Sequence, residues 1–453
     1  MIKIKIPNNN QPERRYILDI FFDEFLGLEY QILESYDCNN LEIELENKNK
    51  LIIEDCFFNK YINCLDYLKF ENIPQKVNFI KNKFIIEDDI PIIYGSDKFE
   101  ISKNKITCGI DIFASSFFML TRWEEYVNKK RDKLNRFSAV ESIAFKNNFL
   151  DRPIVNEYVE MFWNMLVHLG YDKKRKKRKF ELLLTHDVDF LLLSQTSIKV
   201  IVKTFLGDVL KRKDIKLAFS FIKDYLISLS SKEIDPYNTF EYLMNLSEQN
   251  KIKSYFFFMA KGETIYDNNY STEDSYLEEI ISKIKKRGHH LGIHPTFNAY
   301  NNFEQLKKEK KELEKNLNSS ISFGREHYLR FEVPATWQIW EDNNMEWDST
   351  VGYQDKEGFR CGTCYEYSVF NILTRKKLKL KEKPLVVMDS SFISYQDCDL
   401  ESIKSKIFEL IEKTKEYNGT FVFLWHNSSF NNREWKKYKN LYEDVINECC
   451  FMH

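Results

Sequence analysis

From residue 181 onward, short apolar runs alternate with amphipathic helical stretches, and a chain patterned in this way is confined to repeated parallel βα units. The runs fall at 181–185 (ELLLT), 254–259 (SYFFFM), 290–293, 385–388 (LVVM) and 420–425 (TFVFLW). Between them, Leu277, Ile280, Ile281 and Ile284 share one helical face before Gly288 supplies a stop. Ile403, Ile407, Leu410 and Ile411 mark a second helix that ends before Gly419. The order is barrel-like. One insertion after the first run stands apart, because Ile198, Ile201, Val202, Phe205, Leu206, Val209 and Leu210 keep a helical stripe with Lys199, Lys203 and Lys211 beside it. Such a stripe reads as core-facing, the other reading being a membrane-surface helix or a substrate lid.

The cationic run KKRKKRK at 173–179 stands directly before the first apolar run and marks a boundary. It reads as a solvated basic linker, the other reading being a patch for phosphate or a membrane. Upstream, 41–110 alternates short β-like runs with polar loops, while 111–127 and 153–169 carry helical spacing. The expected fold class is therefore α/β throughout. A smaller α/β domain over 1–172, with no convincing catalytic cluster, is followed by the linker and by a larger domain over 180–453. A length of 453 residues suits two domains.

Hydrophobic residues at 43% and aromatics at 15% exclude a disordered chain. With 67 basic against 69 acidic residues, the formal charge is −2 and no global field draws in nucleic acid. The opening MIKIKIPNNNQPERR has no apolar secretory core, and no uninterrupted apolar run is long enough to span a bilayer. A cytoplasmic protein is expected, with peripheral membrane contact left open. Nine scattered cysteines fit reduced thiols. Cys361-Gly-Thr-Cys364 imitates a redox spacing but lacks the strand-to-helix setting such a pair needs.

Ionisable residues collect at the C-terminal ends of the apolar runs, where parallel α/β folds place their sites. The first run leads into His186-Asp187-Val188-Asp189. Positions i and i+2 of extended backbone project to one side, so Asp187 and Asp189 can share a site, one as general base and one as ligand to a cation. Two such carboxylates need a metal or an arginine to stay ionised together. The structural alternative is an Asx-turn pair closing a strand. GHHLGIHP, from Gly288 to Pro295, puts His294 at a strand end just before a proline that stops ladder pairing, which turns its ring into the same mouth. Arg325-Glu326-His327-Tyr328-Leu329-Arg330 concentrates two guanidiniums and an imidazole, with Asp348-Ser349-Thr350 and Gly358-Phe359-Arg360 beyond it. His426, at the tip of the last run, is placed as a general acid.

Taken in order, these segments resemble the polysaccharide deacetylase (NodB-like) superfamily. That family opens with T-x-D-D or D-x-D, here Thr185 to Asp189, and continues with G-H-E-I-G-x-H-[ST]-x-x-H, here Gly288 to Asn298. Its R-x-P-Y is similar to Arg325 to Tyr328, its D-S-S-like segment to Asp348 to Thr350, and its terminal L-x-x-H to Phe423 to His426. The longer signatures DIFASSFFMLTRWEEY, THDVD, GIHPTFN and LWHN look like a bacterial subgroup with an extra N-terminal domain of unassigned role, associated with surface-polysaccharide genes. The resemblance implies a distorted (β/α) barrel of polysaccharide-deacetylase type over 180–453. It also implies a hydrolase that uses a divalent metal, zinc or else cobalt, manganese or nickel, to remove N-acetyl groups from a sugar, here a lipid- or nucleotide-linked one. On that basis Asp187 is the general base, Asp189 and His294 are metal ligands, Arg325 holds Asp187 ionised and His426 protonates the departing amine. His186, Tyr328, Asp348 and Arg360, in or beside the same motifs, are the expected substrate contacts.

Two departures bear on activity. Asn298 stands where the family has its third ligand histidine, and an amide oxygen is a poor substitute for imidazole on zinc. His327, where the family usually has proline, is the candidate to compensate. The second carboxylate is also offset, D-V-D in place of D-D. The competing readings are an inactive carbohydrate-binding protein on the same fold, an amidohydrolase for a small non-sugar amide, and a thiol oxidoreductase through Cys361 and Cys364.

Overall fold

Strict alternation at the N-terminus, with Ile2, Ile4 and Ile6 buried and Lys3 and Lys5 exposed, lays down a strand at Ile2–Ile6 that becomes an inner member of a mixed six-stranded sheet. The computed structural model describes residues 1–34, 38–267, 270–396, 398–431 and 433–450. The sheet runs Tyr30–Glu34, Ile2–Ile6, Leu41–Glu44, Lys50–Ile53, Lys105–Ile110, Gly95–Ile101. Its helices include Ile112–Thr121, every residue of which is buried, and Ile154–His168. Asp111 starts the first of these by accepting from the Ala114 N–H at 3.0 Å. The helical stretch anticipated over 111–127 breaks at Arg122, whose φ of 53° ends one helix and opens Trp123–Val127.

The second sheet has nine strands, in the order Tyr367–Asn371, Lys376–Glu382, Trp347–Asp348, Phe323–Gly324, His290–Ile293, Ser254–Phe258, Glu181–Val188, Thr420–Leu424, Val387–Met388. All neighbours pair in parallel except the first two. Leu385 and Met388, at one end of this order, share an apolar cluster with Leu183, Phe257 and Trp347, so the sheet curls around that cluster. Leu184, Val188, Phe256 and Phe258 point the other way, into the helix-covered core. Helices Ser275–Lys286 and Leu400–Glu416 fall where the sequence periodicity placed them. The strands at 323–324, 347–348, 367–371 and 376–382 were not legible, the first two because a two-residue strand carries no period.

The two sheets share one apolar core. Tyr16 packs on Phe370 with ring centroids 4.7 Å apart and donates its hydroxyl to the Ser368 carbonyl at 2.9 Å. Tyr367 donates to the Leu120 carbonyl at 2.9 Å. Arg360, expected among the substrate contacts, is instead buried across this junction. Its guanidinium meets both carboxylate oxygens of Glu125 at 2.9 and 2.5 Å and donates to the Gly352 carbonyl at 2.7 Å. The basic run is only partly solvated, since Arg178 stacks on Tyr365 at 4.0 Å and Arg175 pairs with Glu160 at 2.6 Å. Cys361 and Cys364 are buried beside the same junction, and burial pushes the Cys361 thiol up to about 12, against any role as a reactive thiolate.

The apolar stripe after the strand Glu181–Val188 forms the helix Ile198–Leu210, folded against a second helix, Ile215–Ser228. Contrary to the core-facing expectation, only Ile201 of that stripe is buried. Ile198, Val202, Leu206 and Leu210 are exposed, because the second helix covers one side alone. Among the described residues no helix is long and apolar enough to cross a membrane.

Removing one member of a buried ion pair leaves the other charge without compensation. Arg360→Ala should therefore destabilise the protein by about 3–5 kcal/mol, read as a lower urea midpoint, whereas Lys48→Ala, in an exposed pair with Glu44, should leave the midpoint unchanged.

Candidate active site

Five side chains at the mouth sit at or just beyond the C-terminal ends of parallel strands. Asp187 and Asp189 close Glu181–Val188, His294 follows His290–Ile293, Arg325 follows Phe323–Gly324, and His426 lies just beyond Thr420–Leu424. Pleat alternation sends Thr185 and Asp187 to the inside of the curled sheet and His186 to the outside. There the His186 ring packs on Phe256 and bonds to the Trp425 carbonyl at 2.7 Å, so it serves the core and not a substrate. Gly324 lets two of these strands touch, since a Cβ there would stand 1.8 Å from the Ile293 carbonyl oxygen. His294 and Arg325 are the residues that follow this contact.

Arg325 is wholly buried. One guanidinium nitrogen donates to Asp187 Oδ1 and to Thr185 Oγ1, both at 2.9 Å, and the others reach the Ser349 carbonyl at 2.8 Å and hydroxyl at 3.0 Å. Its own carbonyl accepts from His294 Nδ1 at 2.7 Å. A carbonyl can only accept, so Nδ1 of His294 carries a proton; burial opposes a second one, but Asp187 and Asp189 outweigh it and raise the pKa of the ring, so a cation at Nε2 would bind in competition with a proton. His327 is fixed in the same way, with Nε2 donating to the Tyr266 carbonyl at 2.8 Å and Nδ1 left bare.

His294 Nε2 and His327 Nδ1 lie 2.9 Å apart, and Asp189 Oδ1 lies 3.3 Å from the first and 3.5 Å from the second. Two ring nitrogens and a carboxylate oxygen therefore converge on one point, and Asp189 Oδ1 is buried with no hydrogen-bond partner. These residues fit a metal. The spacing suits zinc bonds of about 2.0–2.1 Å in a tetrahedral set, and two imidazoles with one carboxylate favour a transition metal over calcium or magnesium. The carbonyls behind both imidazoles are the outer partners that orient metal-ligating histidines. In the bare protein, burial opposes ionisation of Asp189, but His327, His294 and His426 outweigh it and hold the carboxyl well below its ordinary range. Burial, reinforced by His294, keeps His327 down at about 4.

On the opposite wall, His426 Nδ1 donates to Asp389 Oδ1 at 2.7 Å, and the His426 backbone N–H reaches Asp389 Oδ2 at 2.9 Å. Its Nε2 faces the cavity, 3.7 Å from Asp189 Oδ2. Burial works against the imidazolium, but Asp389, Asp189 and Asp187 prevail and push its pKa up to about 10. Asp389 escaped the sequence reading although the signal was present, since it is the first residue after LVVM, at the strand-end position that singled out the others.

A cavity of about 250 Å³ opens between these walls, lined also by Tyr328, Tyr395 and Trp435. Tyr328 and Leu329 have φ of 59° and 53°, a left-handed pair costing about 1–2 kcal/mol per residue. That turn lets His327 and Tyr328 both line the cavity. The N-terminal part adds Arg136, which bonds to the Tyr328 carbonyl at 3.2 Å and the Tyr395 hydroxyl at 2.8 Å. The same loop is held by Asn135 on Tyr300 and by Arg330 on the Leu134 carbonyl. No sequence motif pointed to it.

Of the expected site residues, Asp187, Asp189, His294, Arg325, His327, Tyr328 and His426 come together. Asn298 does not, being exposed and outside the cavity lining, because the chain turns outward after Thr296 bonds to Glu309. Asp348 is also apart. It is wholly buried, accepts from the Thr350 N–H at 3.0 Å, and has its pKa raised by burial to about 7.

Residues 2–171 match a family model described as a family of unknown function, DUF7033. No curated protein matches the chain. Solved structures similar to it include one described as a polysaccharide deacetylase from Mycobacterium smegmatis, 13% identical over 61% of this chain and 86% of that one, with a TM-score of 0.36. Another is the polysaccharide deacetylase Bc1974 from Bacillus cereus, 10% identical over 59% and 86%, with a TM-score of 0.27. A third is the catalytic domain of a peptidoglycan N-acetylglucosamine deacetylase from Eubacterium rectale, 10% identical over 61% and 89%, with a TM-score of 0.25.

Because the folded pKa of His426 lies above its unfolded value of about 6.5, protonation of His426 stabilises the fold fully below that pH. The contribution is lost as pH rises through about 10. Asp389→Asn should bring the His426 titration, followed by imidazole NMR, down toward neutral pH and remove that alkaline loss of stability.

Proposed function

We propose that this chain is a metal-dependent hydrolase that removes an acyl group, N-acetyl in particular, from a sugar. The observation that carries this reading is the convergence of Asp189 Oδ1, His294 Nε2 and His327 Nδ1, flanked by an Asp–Arg pair on one side and an Asp–His pair on the other.

Asp189, His294 and His327 hold the divalent cation, zinc by the donor set, with cobalt, manganese and nickel as alternatives. Bound there, it supplies Lewis acidity toward an amide carbonyl and makes hydroxide available near neutral pH. Asp187 keeps Oδ1 on Arg325, while Oδ2, 3.8 Å from His294, is the base for the proton of the attacking water. His426, charged near neutral pH and steered by Asp389, gives its Nε2 proton to the departing amine. The Tyr328, Tyr395 and Trp435 rings offer apolar faces for a sugar, and Arg136 positions the first two.

The cavity is on the scale of one sugar unit. The substrate we favour is a lipid- or nucleotide-linked N-acetyl sugar of bacterial surface-polysaccharide metabolism, met in the cytoplasm. The alternative of an inactive binding protein drew on Asn298 as a poor third ligand, and His327 removes that reason. Residues 1–172 form a domain that shapes access to the mouth through the Arg136 loop, with 173–179 as its link to the catalytic domain at 180–453.

Protein purified without chelator should carry about one metal ion per chain. Elemental analysis should find it lost in Asp189→Ala, His294→Ala and His327→Ala and retained in Asn298→Ala. No metal after reconstitution with zinc, cobalt, manganese or nickel would sink the mechanism. With acetate release from N-acetyl sugars as the assay, Asp187→Asn and His426→Ala should each lower kcat by roughly 10²- to 10⁴-fold. Arg136→Ala should raise KM more than it lowers kcat.

A further inference from the structure

The hairpin of Ile198–Leu210 and Ile215–Ser228 buries little of its apolar surface. Its own cluster contains only Leu193, Ile201 and Phe221 as buried members, apart from the main core. Along the first helix Ile198, Val202, Leu206 and Leu210 repeat at helical spacing and are exposed, Ile198 and Leu210 at 69%. Along the second, Ile215, Phe219 and Leu226 do the same, with Phe219 at 62%. Phe205 and Phe219 meet edge to face across the two helices, 5.7 Å apart, so the stripes join into one face. An apolar face of this kind on a stable protein marks a surface that something covers.

The charges on the hairpin select the occupant. Lys199, Lys203, Lys211, Lys213, Lys216 and Lys223 are all exposed. Two of the three acids are withdrawn, with Asp208 buried and paired with Arg212 and Asp224 buried against Lys436, while the exposed Asp214 caps the second helix. Apolar side chains bordered by lysines, on helices too short to span, suit a bilayer interface, where the chains enter the acyl boundary and the ammonium groups reach anionic headgroups.

The hairpin also stands beside the mouth. It leaves the chain just after Asp189, and Lys436, which holds its second helix, follows the cavity residue Trp435. At its base, Asn427, next to His426, bonds to the Phe190 and Tyr237 carbonyls.

We infer that this hairpin docks the protein on an anionic lipid surface and sets the mouth of the site against it. Docking does not depend on the hydrolase reading. Its consequence for substrate does rest on that reading, and it selects the lipid-linked sugar over the nucleotide-linked one.

The test is co-sedimentation of the full-length protein with vesicles of phosphatidylcholine alone and of phosphatidylcholine mixed with phosphatidylglycerol. The wild type should pellet with the mixed vesicles and less with the neutral ones. A Leu206→Asp/Phe219→Asp variant should bind them weaker by roughly tenfold or more, and Lys203→Gln/Lys216→Gln should weaken binding to the mixed vesicles alone. All these positions are exposed, and circular dichroism checks that the variants fold. Asp189→Ala should bind vesicles like the wild type, so that failure of the hydrolase chemistry and failure of docking read out separately. Two results would overturn the inference: wild type that stays in the supernatant with both vesicles, or wild type that self-associates in sedimentation velocity without vesicles while the Leu206→Asp/Phe219→Asp variant is monomeric. The second would assign the face to a second copy of this chain.

Discussion

The Arg325 guanidinium bonds at once to Thr185 and Asp187 at the end of one strand and to Ser349 beyond another, while its backbone carbonyl fixes the tautomer of His294. Four strand ends are thus referred to one residue. A guanidinium suits the task because it is planar, permanently charged and supplies several donors at fixed angles. Buried without contact to water, it needs each of those acceptors, and the acceptors lie in the right places only when the sheet is curled. Site and fold are therefore mutually dependent here. The close approach at Gly324, which precedes Arg325 in the chain, is part of the same constraint.

The mouth is asymmetric in charge. On one wall burial keeps His327 down at about 4, with its Nδ1 turned inward beside a carboxylate. On the other a carboxylate loads an imidazole with an extra proton. His327 and His426 thus meet opposite fates in one cavity, the first decided by burial and the second by a charged carboxylate partner. Environments that push like groups apart in this way are what acid–base and metal chemistry in one cavity require.

The N-terminal part is welded to this machinery and is not a passive appendage. Buried charge pairs such as Glu125 with Arg360, and aromatic contacts such as Tyr16 on Phe370, join the two sheets through one core, and the Arg136 loop reaches the rim of the mouth. Burying ions at such a junction costs solvation that only good geometry repays, and both guanidinium–carboxylate contacts there are short and paired.

Sequence alone determined the alternating strands and helices, the strand ends as the candidate site, and the side to which Asp187 and Asp189 project, because each follows from local periodicity or from the pleat of a single strand. His294, Arg325 and His426 were legible for the same reason, and Asp389 could have been. The tertiary structure decided the rest. Whether His327 or Asn298 completes the cluster depends on how the chain leaves two different strands, one through the left-handed turn at Tyr328 and Leu329 and the other outward past Thr296. Asp348 and Arg360, in motifs beside the others, are buried on Thr350 and Glu125, partners that do not line the cavity. The helical stripe at 198–210 shows the limit most plainly. Its period announces an apolar face, but what covers that face depends on neighbours elsewhere in the chain, and among the described residues most of it is left exposed.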